Sequence, residues 1–269
     1  DQIRNGIKGE NPNNGHGWIF GSWYGNNSPQ RIKSYVTGTL TKDSLGLFQK
    51  PEHAVNYLES HDGYTFGDFI RLGLGDVKPD EVIKDIEKNA KLTPTQLKLN
   101  KLGALFLFTS RGITMIHSGQ EFARSKVLPL TNQNDPHRGM IDHNSYDKDN
   151  EVNYINYNHA KMNQDLWDYY KGLIELRKEF QSFRRAKYDD VEFISVKDND
   201  FALGYELNYD DENFVVLFNA HPLKEVVCAL PKGKWEVLVD SDKAGIKAIE
   251  TLSGIITIPT SSGFVLKKK

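Results

Sequence analysis

The chain has 269 residues, 38% of them hydrophobic, enough for one large or two ordinary domains with a normal globular core. Its 34 basic and 36 acidic side chains leave a formal net charge of −2, which argues for neither a nucleic-acid partner nor a membrane surface, and no apolar run approaches the roughly 20 residues of a membrane span. Cys228 is the only cysteine, so an intramolecular disulfide is excluded and the redox compartment stays open.

Residues 1–9 lack the charged start and apolar stretch of a signal peptide and read like the middle of a longer chain. Ile3 and Ile7, four apart, predict one helical turn before Gly9, Asn13, Asn14 and Gly17 dissolve the pattern into loop. The aromatic loop 18–24 offers rings that stack on sugars, against the commoner case of loop aromatics packed under a sheet. Ser28 and Pro29 then cap and start a helix with Ile32, Tyr35 and Val36 as its buried stripe.

Residues 54–58, Ala-Val-Asn-Tyr-Leu, form a short apolar run that ends abruptly in Glu59, Ser60, His61 and Asp62. The run predicts a strand of a parallel sheet, buried on both faces, with polar residues at the carboxyl end where such sheets carry their chemistry. The structural alternative is a turn whose Asp62 caps a following helix. A loop from Gly63 leads into a short helix near residues 66–70, and residues 79–91 read as an amphipathic surface helix with Val82, Ile83, Ile86 and Ala90 on one side. Thr93, Pro94 and Gln96 start a helix that runs through Leu97, Leu99, Leu102, Leu105, Phe106 and Phe108, apolar nearly all round and ended by Gly112. A second apolar run over residues 113–121 completes strand, helix and strand, which predicts two adjacent parallel strands. Asp165 to Phe180 forms a further helix with Leu166, Tyr170, Leu173, Ile174 and Arg177 on one face. From about Lys187 the period changes to seven short runs at 191–196, 201–207, 214–219, 225–230, 235–239, 254–258 and 263–266, which predict an antiparallel sandwich with its boundary near residues 184–190.

Four of these segments carry a family resemblance. Glu59-Ser60-His61-Asp62 resembles the fourth signature region of the α-amylase superfamily, at the end of the seventh barrel strand, and residues 112–122, Gly-Ile-Thr-Met-Ile-His-Ser-Gly-Gln-Glu-Phe, resemble its eighth-strand signature. Asn144-Ser145-Tyr146 with residues 151–156, Glu-Val-Asn-Tyr-Ile-Asn, is similar to the Asn-Ser-Tyr…Val-Asn loop of type I pullulanases, and residues 169–178 are similar to their last barrel helix. The resemblance implies an α/β fold class: the C-terminal portion of a (β/α)8 TIM barrel over residues 1–186, then an all-β antiparallel sandwich domain over residues 187–269. It implies a retaining glycoside hydrolase that debranches pullulan, glycogen or starch-type glucans at α-1,6 links. An α-1,4-acting amylase relative, or a non-catalytic glycan-binding or structural fragment, are the alternatives.

Retaining hydrolysis uses two carboxyl groups about 5–5.5 Å apart, one nucleophile and one proton donor. In the family a third carboxylate, carried over as Asp62, bonds sugar hydroxyls and stabilises the transition state, and His61 donates to the same sugar. The nucleophile and the general acid follow earlier strands in the family, so both are expected upstream of Asp1, and the missing N-terminal part of the enzyme is the expected partner besides the α-glucan. Within the chain, Glu59 or Glu121 could substitute, although a carboxylate at Glu121 more often caps a helix or pairs with an arginine such as Arg124. Asn144 and Tyr146 are candidate substrate-binding residues, by amide bonding and ring stacking, against a loop ordered by its own side chains. The family commonly continues Asp-Asn-His-Thr where Asp62-Gly63-Tyr64-Thr65 stands here, and Tyr157 replaces a usual Trp.

No metal or cofactor is expected. His137 and His143 lack the spacing of a zinc site. Asp147, Asp149 and Glu151 alternate like a calcium loop without its Gly and terminal ligand. No Gly-rich phosphate loop follows a strand. Any export signal would precede Asp1, and a secreted or cell-surface setting in a bacterium fits the resemblance.

Overall fold

The computed structural model describes residues 2–196 and 199–269; Asp1, Lys197 and Asp198 lie outside the described residues. The described residues open with α1 (Gln2–Ile7), the helical turn that Ile3 and Ile7 predict, and a small hairpin, β1 (Gly9–Asn11) with β2 (Gly15–His16), in a stretch whose pattern reads only as loop. Trp18 and Ile19 of the following loop are buried, and α2 (Pro29–Val36) starts on the Ser28 cap, whose side chain accepts from the Arg31 amide. Ile32, Tyr35 and Val36 form its buried face, as the spacing predicts.

Strand β3 (Val55–Asn56), α3 (Phe66–Gly73), α4 (Ile86–Ala90), α5 (Pro94–Thr109) and β4 (Ile113–Thr114) follow, and β3 pairs β4 in parallel, Val55 with Ile113 and Asn56 with Thr114. The strand–helix–strand unit is therefore real, but each strand is far shorter than its apolar run. Nor is the pair covered on both faces: Val55, Ile113 and Met115 are 49%, 51% and 37% exposed.

Helix α5 carries the predicted capping box, Thr93 and Gln96 each bonding the other's backbone, and is buried nearly all round. It stops at Thr109, ahead of Gly112, where Ser110 turns extended, and Arg177 satisfies carbonyls at this end, donating from Nη1 to Phe108 O at 2.7 Å and Ser110 O at 3.2 Å. Gly103 lets α3 cross it closely, since a Cβ there would stand 2.4 Å from Phe66 Cζ. The amphipathic helix expected over residues 79–91 shrinks to α4. Upstream of it the Ile83 amide bonds Gly139 O at 2.7 Å, a tertiary bond that holds the chain extended until Asp85 caps the helix.

After α6 (Tyr157–Met162), α7 (Gln164–Glu179) buries Leu166, Tyr170, Leu173 and Arg177, while α8 (Ser182–Arg185) leads to the sheets. Ile174, expected on the buried face of α7, is instead 37% exposed and lines an apolar groove of about 490 Å³ with Phe108, Ile113 and Ile116.

The carboxyl-terminal strands are β5 (Val191–Ile194), β6 (Ala202–Tyr209), β7 (Glu212–Asn219), β8 (Val226–Ala229), β9 (Trp235–Val239), β10 (Glu250–Leu252), β11 (Ile255–Ile258) and β12 (Ser262–Lys268). Six of them form one antiparallel sheet in the order β10-β9-β12-β7-β6-β5, and β11 pairs with β8 in a second layer. Between the layers lie Val215, Leu217, Val237 and Leu266 against Val226, Cys228, Ile256 and Ile258. Strand β10 escapes the sequence pattern because Glu250 and Thr251 point to solvent. The opposite face of the large sheet shares one core with the helices: the Trp18 ring lies 5.3 Å from that of Phe106 on α5 and 5.9 Å from that of Phe218 on β7.

Candidate functional site

Beyond β3 the chain makes a turn that is pinned at both ends. Leu58 is buried, and Glu59, 1% exposed, accepts from the Phe66 amide at the start of α3 and faces His117 Nδ1 at 3.1 Å. Thr65 completes the cap, accepting from the Asp68 amide at 3.0 Å while its hydroxyl donates to Arg124 O at 2.7 Å. The helix is thus capped by Glu59 and Thr65, and Asp62 has no part in it.

Between these pins His61 and Asp62 stand outward, their side chains 76% and 55% exposed and His61 Nε2 3.9 Å from Asp62 Oδ1. The Ser60 hydroxyl donates to Asp62 Oδ1 at 2.5 Å. That bond, then a backbone bond and the charges of His61 and Arg4, hold the Asp62 carboxyl below the usual carboxylate range against the opposing effect of desolvation. Asp62 is therefore an ionised acceptor at neutral pH. Tyr146, 59% exposed, presents its ring edge-on to His61, with centroids 6.4 Å apart.

Three of the four residues singled out in the sequence, His61, Asp62 and Tyr146, thus come together from segments 84 residues apart (62 to 146). Asn144 sits exposed on the same loop as Tyr146, its backbone N–H donating to Asp142 Oδ1 at 2.8 Å. Glu59 and Glu121 are not free carboxylates. Glu59 is occupied as described, and Glu121 Oε2 accepts from the Gly119 amide at 2.9 Å as a cap of a 3-10 turn. Of the two alternatives for Glu121, capping is the one seen; Arg124 turns instead to Val152 O at 3.0 Å and Ser118 O at 3.4 Å.

The loop that carries Asn144 and Tyr146 is ordered by its own side chains: by Lys148, which no local pattern marks, and by Asn153 of the Val-Asn pair. Lys148 Nζ lies 2.7 Å from Asp135 Oδ2 and 2.5 Å from Asp142 Oδ2, and Asn153 donates to Ser145 O at 2.5 Å and Lys148 O at 2.7 Å. The alternating Asp147, Asp149 and Glu151 are exposed, and among the described residues no group of three His, Cys, Asp or Glu side chains could hold a metal ion. Burial works to raise the carboxyls of Asp135 and Asp142, but the Lys148 bonds outweigh it and both are held low, with Lys148 held high. Lowered carboxyls contribute stability that is present above the ordinary carboxylate range and lost as pH falls through their folded values. Lys148→Met is therefore expected to lower stability by about 1–2 kcal/mol at neutral pH. The difference in melting temperature from wild type should close in acid; an equal difference at both pH values would remove the triad as its cause.

An exposed, ionised carboxylate flanked by an imidazole and an exposed phenol ring can accept hydroxyl donors and offer a surface for stacking, which suits a sugar. Among the described residues, His61, Arg4 and Lys8 place positive charge near Asp62.

No family model matches the chain. Over 273 residues it is 28% identical to the pullulanase of Bacillus subtilis (strain 168), a match covering 96% of this chain and 34% of that protein. Its fold superposes on a pullulanase from Bacillus acidopullulyticus with a TM-score of 0.79 at 24% identity, covering 100% of this chain and 30% of that one. It likewise superposes on a group B Streptococcus pullulanase in complex with maltotetraose, with a TM-score of 0.76 at 22% identity, covering 100% of this chain and 38% of that one. The chain thus spans between 22% and 34% of the length of the curated pullulanases it matches.

Proposed function

We propose that this pullulanase-like chain is the C-terminal part of a retaining glycoside hydrolase that cleaves α-1,6 links in pullulan, glycogen or starch-type glucans. Residues 1–186 would close a (β/α)8 barrel, with β3 and β4 as its last two strands, and residues 187–269 would form the sandwich domain behind it. The observation that carries the reading is Asp62: an ionised carboxylate beyond the carboxyl end of a parallel strand, beside His61 and Tyr146, on a turn whose backbone is pinned. In that role Asp62 accepts from hydroxyls of the sugar being cleaved. Such bonds strengthen as positive charge grows on the ring, so their benefit falls on turnover more than on binding.

The nucleophile and the general acid would come from the N-terminal part of the same enzyme. Support for this comes from the committed state of Glu59 and Glu121 and from the uncovered apolar side chains of Val55, Ile113, Met115 and Ile174, a strand pair and helix face open on one side. The test is pullulan hydrolysis by this chain alone and together with an upstream segment that supplies the other barrel strands. Activity only in the mixture, with maltotriose as product, is expected. Activity of the lone chain would overturn the divided site, and panose-type products would place the cleavage at α-1,4 links instead.

A further inference from the structure

The turn that carries His61 and Asp62 has three backbone carbonyls facing two buried ammonium groups. Lys126 donates from Nζ to His61 O at 3.0 Å and Gly63 O at 3.4 Å, and Lys8, just past α1, donates to Tyr64 O at 3.4 Å. The two lysines are 1% and 5% exposed. Both feel the negative charge of Glu59, yet the Glu59 oxygens are taken by the Phe66 amide and His117. Asp68 and Asp142 also act on Lys126 and Asp62 on Lys8, but neither ammonium pairs directly with a carboxylate among the described residues; burying two like charges in this way costs stability, and an isosteric apolar side chain would remove that cost. Carbonyls on a half-exposed turn could bond water instead. What charged donors add is rigidity: charge-assisted bonds from below fix the peptide planes from which His61 and Asp62 project.

We propose that Lys126 and Lys8 are positioning residues for the His61–Asp62 turn, holding its carbonyls so that both side chains meet the α-glucan in one geometry. This rests on the reading of Asp62 given under Proposed function. The surroundings of Lys8 agree with a group kept for something other than stability. Its Nζ stands 5.1 Å from the centroid of the Phe69 ring. Burial pushes its ammonium down to about 7, with Glu59 and Asp62 acting to raise it and Arg4 and Lys126 to lower it further. As pH rises through that value, Tyr64 O loses a charged donor.

The experiment compares Lys8→Met and Lys126→Met, alone and combined with Asp62→Asn, in the chain joined to an upstream segment supplying the other barrel strands, with pullulan as substrate. Each lysine variant is expected to lower kcat about 100-fold with KM changed by no more than about twofold. Neither should add much to the loss caused by Asp62→Asn, since both act through the same turn. Lys8→Met should also melt higher than wild type below about pH 7, where the folded wild type carries the full buried charge. The gain should shrink with rising pH, because between the folded value and the ordinary lysine value the unfolded chain binds more protons and wild-type stability climbs. If Asp62→Asn abolishes turnover while the lysine variants keep it, or lose it in full addition, positioning is overturned and the Asp62 reading stands. If Asp62→Asn itself turns over normally, both fall together. Should Lys126→Met not fold, Lys8→Met carries the test alone: wild-type kcat falls as pH passes about 7 and the variant lacks that limb, whereas a flat wild-type profile between about pH 6 and 9 rejects the role of Lys8.

Discussion

Asp62→Asn, in the enzyme completed by its upstream strands, is expected to lower kcat on pullulan by about 1,000-fold or more while leaving the melting temperature nearly unchanged. The two halves of that expectation come from different features of the same side chain. Asp62 is 55% exposed, and the hydrogen bond that it accepts from the Ser60 hydroxyl can be made to an amide oxygen as well as to a carboxylate. Exposed polar substitutions of this kind change stability by about 0.5 kcal/mol or less. Turnover is another matter, because a neutral amide cannot supply the negative charge that a developing oxocarbenium ion strengthens its bonds to. Ser60→Ala is the companion variant. It removes the bond that does most to hold the Asp62 carboxyl low, so the acid limb of the pH profile should move upward while the plateau stays. Near-normal turnover of Asp62→Asn would take Asp62 out of the role, whatever the family resemblance.

What the sequence made legible is what it encodes locally. Ser28 and Thr93 cap α2 and α5 because a cap and the amide that donates to it lie within three residues, and both helices begin where those residues stand. The parallel pairing of β3 with β4 is also legible, since a long apolar helix between two apolar runs leaves few other arrangements. Long-range bonds are the part that pattern does not carry. Residues 79–85 have helical periodicity but are held extended by the bond from Ile83 to Gly139, and Lys148 joins Asp135 to Asp142 across a loop in which the visible acidic alternation points to solvent. Glu59 shows the limit most clearly: it belongs to the same tetrad as Asp62, yet its partners are Phe66, seven residues on, and His117, 58 residues on. One carboxylate of the tetrad is thereby structural and the other available, a division that only the three-dimensional surroundings make.

Below the site, the pair Asp68 and Arg71 decides whether the turn has a floor at all. Both side chains are essentially fully buried, 3.3 Å apart, and neither attracts notice in a sequence where they read as two charges on a short helix. Asp68 accepts from Arg71 Nη1 and, through Oδ2, from the Lys126 amide at 2.7 Å; Arg71 donates onward to Asn89 O at 2.8 Å, Ala90 O at 2.9 Å and Ala123 O at 3.0 Å. The guanidinium is already pushed down by burial, with Asp68 acting to raise it. Asp68→Ala would leave that cation uncompensated and the Lys126 amide without its acceptor, and is expected to cost about 3–5 kcal/mol. Asp68→Ala with Arg71→Met should recover part of the loss, because the double variant removes the unpaired guanidinium, although three carbonyls then lack their donor. Urea denaturation of the four proteins of this cycle measures the coupling directly. A cost for Asp68→Ala below about 1 kcal/mol, or strict additivity, would show that the pair is incidental. With a large coupling, the loss of activity in Asp68→Ala becomes interpretable: the carboxylate that meets the sugar is held by a turn, the turn by Lys126, and Lys126 by a carboxylate that never meets solvent.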